Sequence, residues 1–167
     1  MRDLSAHLGA LTKRISESAG RWAYLYRAVD NRGRTVDFLL SQHRDIAAAK
    51  LFFTRAMERH GTPETITLGG YPATHSAVVE LMKSGALPPQ TKIRTSKYLN
   101  NLVEQDHRRV KQRVYPTLGF KSFRNAAVTI SGVGLAQKIR KTQFDTPAVM
   151  GKEGMRVSHM WGVVLAG

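Results

Sequence analysis

Between Lys92 and Arg124 the chain sets nine Lys or Arg residues, at 92, 94, 97, 108, 109, 111, 113, 121 and 124, against Glu104 and Asp106 alone. That is a net +7 in 33 residues, half of the +14 carried by the whole chain. Tyr98, Tyr115 and Phe120 are interleaved among the cations. Spaced cations neutralise phosphates and release condensed counterions, and aromatic faces between them can stack on bases, so the pattern suits nucleic-acid binding. The alternative is a solvated basic helix whose aromatics belong to a core. Inside this segment Glu104 stands seven residues before Lys111, nearly two helical turns, so on a helix the two face one way. Glu104 also stands four before Arg108, and spacing alone favours that i,i+4 ion pair, worth a few tenths of a kcal/mol.

Other chemistry is poorly supported. The absence of cysteine excludes disulfide scaffolds, thiolate zinc sites and cysteine nucleophiles. Six scattered histidines form no His-Glu-x-x-His pair, and His107 beside Asp106 reads as a polar helix residue rather than a zinc ligand. Gly132-Val-Gly134 begins like a dinucleotide-binding fingerprint, but no third glycine follows on schedule and no βαβ unit surrounds it. There is no nucleophile elbow for a Ser-His-Asp hydrolase.

The elements that must position such residues can be read in order. Leu4, Leu8, Leu11 and Ile15 fall at helical spacing and predict an amphipathic first helix. Trp22–Val29 and Thr35–Leu40 are rich in β-formers, and Asp30–Arg34 between them is turn chemistry, which predicts a hairpin. Ile46, Ala49, Phe53, Ala56 and Met57 mark a helix face, with Asp45 at its start and Arg59, His60, Gly61 and Pro63 at its end. Thr65–Leu68 is a strand ending at Gly69-Gly70, His75–Lys83 a helix closed by Gly85, and Lys92–Ser96 a further strand. Asn100–Val114 reads as a polar helix, and Ser122–Lys141 as another despite two glycines. This order predicts an α/β fold with one mixed sheet.

With 167 residues, 42% hydrophobic and 23% charged, the chain has the composition of one globular domain, and its pI of about 10.7 makes a polyanion the first partner to consider. No run approaches the roughly 18 to 20 apolar residues of a membrane helix, so a soluble protein with no membrane partner is expected. Met1–Gly20 carries Asp3 and Glu17 and no apolar core, so a secretory signal is not expected.

The run Lys97-Tyr-Leu-Asn-Asn-Leu-Val-Glu-Gln-Asp-His-Arg-Arg-Val-Lys111, with Leu118-Gly-Phe-Lys-Ser-Phe123 and Ile139-Arg-Lys-Thr-Gln-Phe144, closely resembles the catalytic domain of bacterial insertion-sequence transposases of the DDE class. The resemblance extends back through Thr65–Leu68 and Tyr24-Leu-Tyr-Arg-Ala-Val-Asp30, covering about residues 21–144. It implies a ribonuclease H-like fold shared with retroviral integrases, and two Asp and one Glu holding two Mg²⁺ or Mn²⁺ ions for DNA strand cleavage and transfer. Two metals about 3.5 to 4 Å apart need several converging oxygen ligands, for which three carboxylates are a sensible minimum. Glu104 matches the family's Glu, which reverses the preference for a simple ion pair, and Lys111 matches its basic residue toward DNA phosphate. Lys97, Arg108, Arg109, Arg113 and Lys121 join Lys111 as candidate DNA contacts.

The departures bear on activity. The family's second Asp falls on Gly69, and its first Asp, on a strand just before the one containing Trp22, has no match in Ser16-Glu-Ser-Ala-Gly20. Asp30 and Asp37 are possible substitutes, but Asp30 sits at a turn where Asp serves the backbone, and Asp37 in Val36-Asp-Phe38 is expected to project outward. The reading is of a truncated, degenerate transposase: residues 1–20 a substituted N-terminal helix, 21–145 a DDE catalytic-type domain, and 146–167 a divergent tail. Its sheet is expected to lack the first central strand, and its strand-transfer activity to be nil. DNA is the expected partner, with a homo-oligomer or a full-length transposase as further ones, in the bacterial cytoplasm. The competing readings are a noncatalytic DNA-binding or dimerising remnant that modulates intact transposase, and an unrelated basic RNA-binding protein.

Overall fold

In a computed structural model the structure describes residues 8–18, 21–96, 108, 112, 122–141 and 143, with backbone alone for 8–18 and 21. The elements follow as β1 (Leu8–Ser18), β2 (Arg21–Val29), β3 (Thr35–Ser41), α1 (Ile46–His60), β4 (Thr65–Leu68), α2 (Pro72–Lys83), β5 (Lys92–Thr95) and α3 (Phe123–Arg140). The five strands form one sheet in the order β3-β2-β1-β4-β5. β2 is antiparallel to both β1 and β3, while β4 is parallel to β1 and to β5. β1, β3, β4 and β5 therefore run the same way and end at one edge of the sheet.

The first strand is the main correction to the sequence reading. Residues 8–18 are not an amphipathic helix, and the sheet does not lack its central strand: β1 lies between β2 and β4 and pairs with both. Four apolar residues three or four apart fit helical spacing, but β2 and β4 without a strand between them would leave two rows of backbone donors and acceptors unpaired. That pairing demand overrides a weak local pattern. β1 meets it with one irregularity, a register shift between Arg14 and Ser16. The mixed α/β class itself stands.

Alternation along β2 divides the interior. Tyr26 and Ala28 face α1 and α2 and join Phe52, Phe53, Ile66, Leu68, Val78 and Leu81 in the larger core. Leu25 faces the other way and packs on Ala126 and Ile130 of α3, with Phe38 and Val133 beside them. α1 starts where the sequence places it, the Asp45 carboxylate accepting from the Ala48 N–H at 2.8 Å, and stops at Gly61, whose φ of 84° is a left-handed value. α2 begins three residues earlier than expected, because Pro72 fits a first helical turn where no N–H is required. Arg108 and Gln112 are helical, and the rest of the polar helix expected over Asn100–Val114 lies outside the described residues.

α3 is tied to the β2–β3 hairpin by polar contacts. Arg27, fully buried, donates to Thr35 Oγ1 and to Gln137 Oε1, both at 3.1 Å. The Gln143 amide pairs with both backbone groups of Thr35 at 3.2 Å, as a neighbouring strand would. Lys141 donates to the Gly33 carbonyl at 2.8 Å. The glycine that resembled part of a nucleotide fingerprint has a packing role: a Cβ on Gly134 would lie 2.8 Å from Phe38 Cε1.

Candidate catalytic edge and nucleic-acid interface

At the edge where the parallel strands end, β4 runs out at Leu68, whose partners are Ala10 on β1 and Thr95 on β5. Continuing that register sets Gly69 level with Leu11 and Gly70 level with Thr12. None of these four residues carries a carboxylate. Gly69 is buried, and its carbonyl accepts a hydrogen bond from His75 Nε2 at 2.8 Å, which fixes the proton on that nitrogen. The Leu68 carbonyl is taken by the Ser96 N–H at 3.1 Å. Gly70 faces open space, where an added Cβ would meet nothing within 4 Å.

Two loops close over this edge from the α1 and α2 face. The Tyr71 hydroxyl donates to the Arg44 carbonyl, and the Arg44 guanidinium lies 3.8 Å from the centre of the Tyr71 ring. Tyr26 donates from below to the His43 carbonyl at 3.4 Å. Burial first, then the nearby Asp45 carboxylate, pushes the Tyr26 hydroxyl up to about 12. Nothing in the sequence signals the Arg44–Tyr71 contact, since the residues are 27 apart and belong to different loops.

Glu104, Lys97, Arg109, Lys111, Arg113 and Lys121 lie outside the described residues. Arg108 is helical and exposed, as is Gln112 one turn on. The two substitute ligands are occupied elsewhere. Asp30 caps its own turn, accepting from the Arg32 and Arg34 N–H groups at 2.9 and 2.8 Å and from Arg34 Nε at 2.6 Å, as its turn position implied. Asp37 does not project outward: it is 3% exposed, and its oxygens lie 3.3 Å from Arg55 Nε and 3.5 Å from Arg59 Nη1. The cause is a sheet covered on both faces: Asp37 opposes Ala28 on the α1 face while Phe38 turns to α3, and a bulge at Val36, between the pairs Ala28–Asp37 and Val29–Thr35, sets Val36 in the α1 core as well. Among the described residues no group of three or more His, Cys, Asp or Glu could hold a metal ion, and Gly69 and Gly70 bring no oxygen-bearing side chain to the end of β4. No helix of the described residues is long and apolar enough to cross a membrane.

Comparison with known proteins places this geometry. Residues 16–143 match the protein-family model described as a DDE domain. The chain is 39% identical over 114 residues to the transposase for insertion sequence-like element IS431mec of Staphylococcus aureus strain Mu50, covering 68% of this chain and 49% of that protein. It is similar to the same extent to the transposase for insertion sequence element IS257 in transposon Tn4003 of Staphylococcus aureus. The chain spans about half the length of the curated relatives it matches. Among solved structures, the trimeric form of the HTLV-2 integrase catalytic core domain in complex with magnesium superposes with a TM-score of 0.60 at 16% identity, over 81% of this chain and 87% of that one. The catalytic core domain of BIV integrase gives a TM-score of 0.59 at 15% identity, over 97% of both chains. These likenesses establish the ribonuclease H-like fold.

Proposed function

This chain belongs to the DDE-domain transposases of bacterial insertion sequences, and from that premise we propose that it is a transposase catalytic domain for DNA transposition that no longer catalyses strand transfer. One observation carries the reading: the strand end where the family's second Asp falls is Gly69, buried and bonded to His75 through its backbone. The neighbouring strand, which takes the place of the one bearing the family's first Asp, offers Leu11 and Thr12 at the same level. In the family, Mg²⁺ or Mn²⁺ would activate the attacking oxygen and stabilise the leaving one. Glu104 is the carboxylate left to this site by the family match, and a lone carboxylate does not fix two ions. The chain's retained role is therefore contact with DNA, through Lys97, Arg108, Arg109, Lys111, Arg113 and Lys121 along phosphates, in the bacterial cytoplasm.

A second reading, a noncatalytic remnant that pairs with itself or with intact transposase, is favoured by the continuous five-stranded sheet. A body that keeps its central strand can take a protomer's place in an assembly while contributing no ligands. Titration of the purified chain with Mn²⁺ tests the first reading, which expects no saturable binding at low millimolar ion. Two saturable sites would overturn it. Recovery of full-length transposase on the immobilised chain and sedimentation of the chain alone test the second, and no recovery together with a monomer would remove it.

A further inference from the structure

The β1–β2 ribbon does not stop where β4 stops. Leu68 is level with Ala10, yet β1 runs on to Ser18, paired with β2 as far as Arg21. With Gly69 and Gly70 level with Leu11 and Thr12, residues 13–18 of β1 run past the end of β4. Alternate residues of β2 share a face, about 7 Å apart. Tyr26 belongs to the core under α1 and α2 and Tyr24 packs against that core, so Trp22 follows on the same side. Exposure rises outward along the row: Tyr26 is 1% exposed, Tyr24 half-buried and Trp22 39% exposed. At the foot of the row Tyr26 donates to the His43 carbonyl, and the Arg44 guanidinium lies over the Tyr71 ring. His43 is exposed, and Gly70 leaves open space beside Tyr71.

An aromatic row ending in an exposed indole, with a guanidinium at its foot, has the chemistry of a stacking ledge with a phosphate contact. We infer that this ledge seats a single strand of DNA, with bases on Trp22 and Tyr24 and a phosphate at Arg44. A duplex hides the faces of its bases, so the indole discriminates for an unpaired segment, while the guanidinium serves either form. The inference rests on the DNA-binding reading and adds to it the strand state and the place where it lies.

The test uses the full chain carrying Trp161→Phe, which leaves Trp22 as its one indole, with a single-stranded oligothymidylate and a blunt duplex of equal length as probes. The single strand should quench the Trp22 emission. Trp22→Ala should weaken single-strand binding about tenfold and leave duplex binding unchanged, and Trp22→Phe should restore most of the loss. Arg44→Gln should weaken binding of the single strand and lower its salt slope by about one. Unquenched emission on a bound single strand, or single-strand affinity unaffected by Trp22→Ala, overturns the ledge. Salt-dependent binding of both probes, with no Trp22 response to the single strand, would overturn the ledge alone, whereas failure to bind either probe would overturn the DNA reading with it. Trp22→Phe keeps the ring's packing, so the quenching and rescue arms decide even where Trp22→Ala lowers the melting temperature.

Discussion

Tyr26 connects the buried core to the loop that follows β3, and its ionisation should set an alkaline limit to the chain's stability. Its hydroxyl is pushed up to about 12 from an ordinary value of 10.0, so the folded state favours the neutral phenol. The resulting stabilisation is complete below pH 10 and is lost as pH rises through about 12. Between pH 9 and 11 the chain should lose about 1 kcal/mol more stability than Tyr26→Phe, read from urea midpoints at the two pH values. Parallel declines would show that Tyr26 does not set the limit. At this scale the sequence was legible where a residue acts locally. Asp30 and Asp45 were read correctly because a turn and a helix start are set by residues a few positions away. Asp37 was misread because the sheet is covered on both faces, so Phe38 and Asp37 both point inward, and the balancing charges come from Arg55 and Arg59 on a later helix.

For the elements, α3 depends on how closely it can approach β3. A methyl group at Gly134 meets the Phe38 ring at 2.8 Å, whereas one at Gly132 meets nothing within 4 Å. Gly132→Ala should therefore stabilise the chain by about 0.5 to 1 kcal/mol through helix propensity. Gly134→Ala should destabilise it by roughly 1 kcal/mol, since overpacking against a ring already held by Leu25 and Ile130 exceeds that gain. Thermal unfolding of the two variants reads the signs, and equal signs would contradict the packing. The hairpin, α1, β4 and β5 were legible because period, turn residues and caps agree in each. β1 was not, because its pairing with β2 and β4 is a demand of the whole sheet that outweighs four apolar residues at helical spacing. The polar clamp of Arg27, Gln137 and Gln143 was likewise hidden, joining residues more than one hundred positions apart.

On the scale of the whole molecule, the surplus of +14 should govern encounters with DNA. Affinity for duplex should fall steeply between 50 and 200 mM salt, and joint neutralisation of Arg108, Arg109 and Arg113 should lower the salt slope by about three. Equivalent changes outside residues 92–124 should lower it less, and a flat salt response would remove the electrostatic account. The continuous central strand also changes what restoration of catalysis requires. The scaffold is present, so ligands are the deficit, and Gly69→Asp alone should not restore activity because two ions would still be held by too few oxygens to align attack and departure.

The most direct test is joining of a labelled element-end duplex to target DNA with Mg²⁺ or Mn²⁺, by the unmodified chain, by Gly69→Asp, and by Gly69→Asp combined with Leu11→Asp or with Thr12→Asp. The account predicts no product from the first two and product from one of the combined variants. Clear product from the unmodified chain would contradict it.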